Sequence, residues 1–176
     1  MRRLRYCVAA SLDGFIAGPK GEYDWITPDP SFDFGALWDQ FDTLLMGRLT
    51  YEVASTRLAF LHSMGKKIVV VSTTLGPARD SKITVLRDNL PESVAKMKAE
   101  AGKDIWLMGG GALFRALLDA DLVDGVEVTV MPVLLGGGVP LMPAGKRHTL
   151  QLTESKTLPN GSVVLHYAIN RQRVGS

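Results

Sequence analysis

Residues 107–124, LMGGGALFRALLDADLVD, set three consecutive glycines between an apolar run and a stretch with helical spacing. Leu113, Ala116, Leu117 and Ala120 fall at i, i+3, i+4 and i+7, which predicts one face of a helix. The preceding DIWLM (104–108) reads as a strand. Glycine at such a junction costs backbone entropy, so the turn needs something only glycine allows. Either the bend is sharp, or an anion presses close to the backbone.

Working outward, strands and helices alternate on the N-terminal side. LRYCVAA (4–10) reads as a buried strand and residues 11–25 as a long loop rich in turn formers. A short amphipathic helix is expected over 31–40, a strand over 42–47 and a helix from Arg48 to Ala54. KKIVVVS (66–72) is the clearest strand, and KITVL (82–86) a weaker one. Pro91 and Gly102 frame a helix over 92–101. On the C-terminal side the character changes. Residues 125–137, 148–158 and 162–171 read as strands with no helix between them, and Pro-Asn-Gly at 159–161 signals a hairpin turn. The pattern predicts one α/β domain over residues 1–176, with three layers and a mixed sheet, parallel at its centre and antiparallel in its C-terminal strands.

Composition excludes several classes. The 20 basic and 18 acidic residues leave a net charge of +2, too little to imply a nucleic-acid partner. Arg2, Arg3 and Arg5 at one end and Arg171 and Arg173 at the other read as solvated strand ends, with no interleaved aromatic residues to stack on bases. No apolar stretch approaches the ~20 residues of a membrane span. No signal peptide is read behind the basic start, and the lone Cys7 permits no internal disulfide, so a cytoplasmic setting is expected. Gly109 and Gly111 match the first two positions of the dinucleotide fingerprint, but Phe114 stands at the third. Gly138 and Gly145 are too far apart for a phosphate-binding P-loop, and Arg147 follows Lys146 where Ser or Thr is needed. His62, His148 and His166 are scattered, so no metal site is expected.

Three strand ends remain that suit phosphate. One carries Gly47 and Arg48 with Thr50 just inside a helix, one carries Ser72, Thr73 and Thr74, and one the glycines 109–111. Ligands of parallel sheets bind beyond the strands' carboxyl ends, and helix N-termini offer N–H groups and partial positive charge. Two helix starts, a guanidinium and several hydroxyls fit a ligand with more than one phosphate.

AASLDGFIAG (9–18), DWIT (24–27), LLMGRLTYE (44–52), VVVSTTL (69–75) and residues 108–143 resemble the reductase domain of the bacterial riboflavin-biosynthesis deaminase-reductase, a family with the dihydrofolate reductase fold. The resemblance spans about residues 4–169 and implies an NADPH-dependent reductase, commonly a homodimer, acting on a small-molecule substrate. It implies that Gly47, Arg48, Thr50, Ser72, Thr73, Gly109, Gly110 and Gly111 contact the cofactor's phosphates, and that Ala10 and Ile16 flank its nicotinamide. The substrate implied is a small heterocyclic or ribosylated compound resembling 5-amino-6-ribosylaminouracil phosphate. One cysteine cannot supply the zinc ligands of the deaminase half.

The expected chemistry is hydride transfer to a C=N or C=O group. A carboxylate beside the loop would polarise the acceptor or donate a proton. Asp13 is the first candidate, with a turn former beside Gly14 as its alternative; Asp29 and Asp24 come next. Asp29 is either the substrate carboxylate or a turn residue, and Trp25 either stacks on a flat heterocycle or belongs to the core. Two other functions compete: a pterin-type reductase of the same fold, and a protein that binds the nucleotide without turnover. The absence of an acidic residue at these strand ends, with Arg48 present, predicts preference for NADPH over NADH.

Overall fold

The computed structural model describes residues 1–76, 80 and 82–170. Its main sheet has eight strands: β1 (Leu4–Ser11), β3 (Phe41–Gly47), β4 (Lys67–Val71), β5 (Ile83–Leu86), β6 (Asp104–Gly109), β7 (Gly125–Met131), β9 (Leu150–Thr157) and β10 (Val163–Ile169). Their order is β5-β4-β3-β6-β1-β7-β10-β9. The pairs from β5 through β7 are parallel. Strand β10 pairs antiparallel with both β7 and β9. The parallel pairing follows from the crossovers between successive strands, and the antiparallel end from the 159–161 turn, which needs no helix.

Helices cover both faces. Strand residues alternate between faces, so Leu4, Tyr6 and Ala10 meet one core while Cys7 meets the other. On the first face lie α4 (Leu90–Ala99) and α5 (Gly111–Asp119), through Val94, Leu113, Phe114 and Leu117. On the second lie α1 (Phe34–Asp39), α2 (Arg48–Ala54) and α3 (Leu58–Ser63), through Leu37, Trp38, Tyr51, Leu58 and Leu61. Fully burying a side chain such as Leu117 is worth about 1.5–3 kcal/mol.

Several local readings change. Helix α5 buries Leu113, Phe114, Leu117 and Leu118. Ala116, expected on the inner face, is exposed. The apolar stripe therefore runs through adjacent pairs one turn apart. The 11–25 loop contains β2 (Phe15–Ala17), which pairs with β8 (Val139–Pro140) in a second sheet. Here Gly138, at φ +146°, leaves no room for a side chain against the Ala17 carbonyl. The strand expected through residue 137 ends at Met131, before Pro132, which has no N–H to donate. A 3₁₀ turn at Ser55–Arg57 and helix α3 extend the segment after α2. Helix α4 takes Pro91 into its first turn but stops at Ala99, with Glu100 extended.

Arg2 and Arg5 are not solvated strand ends; both are buried. Arg2 bonds Asp42, the Thr43 hydroxyl (2.7 Å) and the Lys103 carbonyl (2.5 Å). Arg5 grips Glu127 with two nitrogens (2.5 and 2.8 Å), reaches Gln40 and Asp104, and lies over the Phe41 ring. Burial is tolerated because each guanidinium is matched to carboxylate and polar partners. Arg3 is exposed. Arg171 and Arg173 lie outside the described residues.

Candidate active site

Two strand-to-helix turns stand side by side at the carboxyl edge of the sheet. Gly47 leads from β3 into α2 and Gly110 from β6 into α5, both with extended backbone and neither helix capped by a side chain. A methyl group added to Gly47 would lie 3.8 Å from the Gly110 nitrogen, and one on Gly109 would lie 3.7 Å from the Thr50 hydroxyl. Gly109 has φ +123°, a region that disfavours side chains. Gly111 is pressed against the chain: a methyl group there would meet the carbonyls of Pro140 (2.7 Å) and Leu141 (2.9 Å). The glycines thus serve the bend and close packing, at turns that border an open cleft.

That cleft is a cavity of about 1110 Å³ on the side of the sheet covered by α1 and α2. One end is lined by Gly47, Arg48, Thr50, Gly110 and Ala112. The middle is bordered by Ile16, Ala17 and Val139 of the small sheet. The other end is a largely apolar chamber floored by Cys7, Ala9, Trp106, Met108, Thr129, Met131 and Val164, with Glu127 and His166 among them. Its far wall is the 19–34 loop, including Ile26, Asp29, Phe32 and Phe34.

The wall is held by Asp29. Its Oδ1 accepts from the Ser31 N–H (2.8 Å) and hydroxyl (2.6 Å), and its Oδ2 from the Asn160 N–H (2.8 Å). Asn160 also donates to the Thr27 carbonyl, so the β9–β10 hairpin turn carries this loop. The Ser31 donors, then Asn160, hold the Asp29 carboxyl below its usual range. In the floor, burial and then the neighbouring Glu127 push the Cys7 thiol well up, so it keeps its proton and is a poor nucleophile.

The structure gathers Ile16, Asp29, Gly47, Arg48, Thr50 and Gly110 around one cavity. Arg48 pairs with Glu52 one turn along its own helix (2.6 Å). Gly109 and Gly111 sit behind Gly110 in the same turn. Ala10 buries its methyl group in the α5 core, and its neighbour Ala9 lines the chamber. Ser72 accepts from the N–H groups of Thr74 and Leu75, shaping the turn after β4, where Thr73 is exposed. Arg87 donates to the Thr73 and Leu75 carbonyls from the neighbouring strand end. Asp13 does not line the cavity: its oxygens accept from the N–H groups of Leu135 (3.1 Å) and Gly136 (2.7 Å), the work of a turn residue that also clamps a second loop. Trp25 likewise lies outside the lining and donates to the Glu22 carbonyl. Asp24 is exposed and also lies outside the lining.

Glu127, Thr129 and His166 escape motif reading. Their signal is alternation: Val126, Val128 and Val130 pack on one face of β7, while Glu127, Thr129 and Met131 face the other. A polar residue on the inward face of a strand flanked on both edges faces either a partner or a cavity.

A model of the RibD C-terminal domain matches residues 2–164. The chain is 34% identical to the Bacillus subtilis protein YyaP over 183 residues, covering 96% of each. It is 24% identical to the riboflavin biosynthesis protein RibD of Corynebacterium ammoniagenes, over 81% of this chain and 47% of that one. A solved structure from Shewanella sp. PV-4, named for riboflavin biosynthesis, superposes with a TM-score of 0.80 at 29% identity, covering 97% of this chain and all of that one.

Proposed function

The chain belongs to the RibD C-terminal domain family, and from that membership we propose that it uses NADPH to reduce a C=N or C=O group of a small heterocyclic or ribosylated substrate, one resembling 5-amino-6-ribosylaminouracil phosphate. It is an oxidoreductase domain of the dihydrofolate reductase-like fold. One observation carries the finer reading: a single cavity joins two uncapped strand-to-helix turns, with a guanidinium beside them, to an apolar chamber wide enough for a flat ring.

NADPH, when bound, supplies the hydride. The N–H groups of the Gly47 and Gly109–Gly111 turns, with the Thr50 hydroxyl, hold the pyrophosphate. Arg48, Ser72 and Thr73 take the adenosine phosphate at the neighbouring strand ends. Ile16, with Ala10 beside the chamber-lining Ala9, would flank the nicotinamide. The chamber excludes water and strengthens polar contacts to the acceptor. Asp29 and Trp25 belong to the loop that closes it, and Asp13 positions that end of the cleft through the 135–136 loop. The reductase acts in the cytoplasm as a homodimer. Support for the dimer is the edge strand β9, exposed on both faces with Leu152 uncovered. Light scattering giving a mass near 19.1 kDa at micromolar concentration would count against it.

The deciding assay follows loss of NADPH absorbance with ribosylaminopyrimidines, pterins and small carbonyl compounds. Consumption with the first class supports the reading. Consumption with pterins alone favours a dihydrofolate-type reductase. Tight NADPH binding without consumption across the panel would reduce the protein to a nucleotide binder.

A further inference from the structure

Four ionisable side chains stand in one row across the sheet, and cofactor binding uses none of them. Strand register pairs Cys7 of β1 with Glu127 of β7, Glu127 with His166 of β10, and His166 with Glu154 of β9. Residues paired across adjacent strands project to the same face, here the face of the cavity. The contacts follow. The Cys7 thiol donates to Glu127 Oε2 (3.4 Å), Glu127 Oε2 lies 4.0 Å from His166 Nε2, and His166 Nδ1 lies 3.6 Å from Glu154 Oε2. Side-chain exposure climbs along the row, from 12% at Glu127 to 33% at His166 and 66% at Glu154. The row therefore connects the chamber floor to solvent.

Reduction of C=N or C=O needs a proton as well as a hydride, and most polar groups of the cavity are committed elsewhere. Asp29 is an ionised acceptor with three donors. Glu127 is locked in a two-pronged pair with Arg5. Cys7 is buried, and Glu52 pairs with Arg48 at the nucleotide end. Lys20 and Tyr23 sit on exposed loop. An imidazole is the side chain whose ordinary charge change falls near neutral pH, which suits it to hold and release a proton there.

We propose that His166 is the general acid of this reductase, an inference that rests on the reductase reading above. As the acceptor carbon receives the hydride, its nitrogen or oxygen takes the proton from His166 Nε2, the inner ring nitrogen. The acceptor gains two electrons and one proton in total beyond the hydride's own nucleus, leaving neutral imidazole and NADP⁺. The neutral ring keeps its Nδ1 proton toward Glu154, and Nε2 recovers the proton it gave from water that enters the chamber once product has left. The charged groups around the ring are Glu127 on β7, Glu154 and Lys156 on β9, Arg3 before and Arg5 on β1, Asp33 before α1 and Asp124 before β7, all lining the adjoining polar pocket that His166 also borders.

The test uses the full chain with an acceptor that the wild type reduces. Positioned general acids contribute about 10²–10⁴-fold, so His166→Gln should lower kcat by roughly a hundredfold or more. NADPH Kd and melting temperature should stay unchanged. Wild-type kcat should fall as pH rises through the titration of the ring, and His166→Gln should lack that limb. An independent reading comes from the ligand-free protein: ring resonances assigned to His166 by their loss in the variant should titrate over the same pH range as the limb. The variant's rate should also slow further in D₂O, because proton delivery then limits it. His166→Asn, as a second replacement, should behave alike. Turnover and pH profile matching wild type, or a ring that titrates outside the limb's range, would overturn the role of His166 while leaving the reductase intact. Failure of the wild type to oxidise NADPH with any acceptor would overturn both.

Discussion

Replacing Arg48 by alanine should weaken NADPH binding by about five- to a hundredfold while barely changing NADH binding. Arg48 opens α2 beside the Gly47 turn and borders the cavity with a side chain 43% exposed. Its guanidinium is engaged with Glu52 at 2.6 Å, an exposed pair four residues apart. Such a pair is worth about 0.3–0.5 kcal/mol. A phosphate gripped through charge-assisted hydrogen bonds is worth about 1.5–3 kcal/mol. Exchanging the carboxylate for a 2′-phosphate therefore nets about 1–2.7 kcal/mol, and each 1.4 kcal/mol is tenfold in Kd.

The same arithmetic gives Glu52 a sign. Glu52→Gln removes both the competitor for Arg48 and an anion near the phosphate, so it should tighten NADPH binding about twofold, more at low salt. Calorimetry on wild type, Arg48→Ala and Glu52→Gln, with both nucleotides, decides the matter. Equal losses for NADPH and NADH in Arg48→Ala would refute the 2′-phosphate argument and move Arg48 to the pyrophosphate or to the fold. No loss for either would leave it a surface cation satisfied by Glu52.

The remaining expectations concern the scaffold of the cleft. Gly111→Ala would thrust a methyl group onto the Pro140 and Leu141 carbonyls, so urea unfolding should show a loss of about 1–3 kcal/mol, with NADPH binding weakened as the start of α5 shifts. Asp13→Asn keeps one acceptor of two, so it should lower the melting temperature and acceptor kcat/KM but not NADPH affinity; wild-type melting with reduced kcat would return direct chemistry to Asp13. The Ser11 hydroxyl with the Leu135 and Gly136 N–H groups holds Asp13 below its usual range, Ser31 and Asn160 do so for Asp29, and His148 with Arg115 for Asp119. Folded values below the unfolded one of about 3.9 mean stability that is full above it and lost as pH falls through the lowered values. Urea titrations between about pH 6 and pH 2 should show that loss, with a shallower slope in Asp29→Asn.

The parts of this fold legible in the sequence are those governed by local rules. Three glycines after DIWLM mark a strand-to-helix turn because few other residues fit Gly109 and Gly111, and the bulk of Pro140 and Leu141 is invisible until the chain folds. The antiparallel end follows from the 159–161 turn. Strands β2 and β8 were not legible: two- and three-residue strands 122 or more positions apart form only because Asp13 and Gly138 bring their loops together. Arg2 and Arg5 read as solvated because charge at a chain start is usually exposed; their partners, Asp42, Asp104 and Glu127 in strands and Lys103 just before β6, come from distant parts of the sequence. Asp29 shows the same limit. Its turn with Ser31 is local, while its bond to Asn160 spans the sequence and makes it a structural clamp of the chamber wall.

This division has a physical reason that bears on function. The turns proposed to hold phosphate lie at helix starts, where backbone geometry imposes a composition, here glycine, that a linear reading detects. The chamber proposed for the substrate is lined by side chains on the second face of β1, β7 and β10, where any residue compatible with a strand is allowed. No local rule selects Glu127 or His166; strand register alone puts them in one row with Cys7. The cofactor end of the cavity can therefore stay constant in pattern while the chamber's floor changes residue by residue. A Glu127→Val exchange would keep β7 in register yet leave Arg5 with only Asp104 and Gln40. On the proposed reading, acceptor specificity should respond to exchanges at residues 127, 129 and 166 far more than to exchanges in the glycine turns.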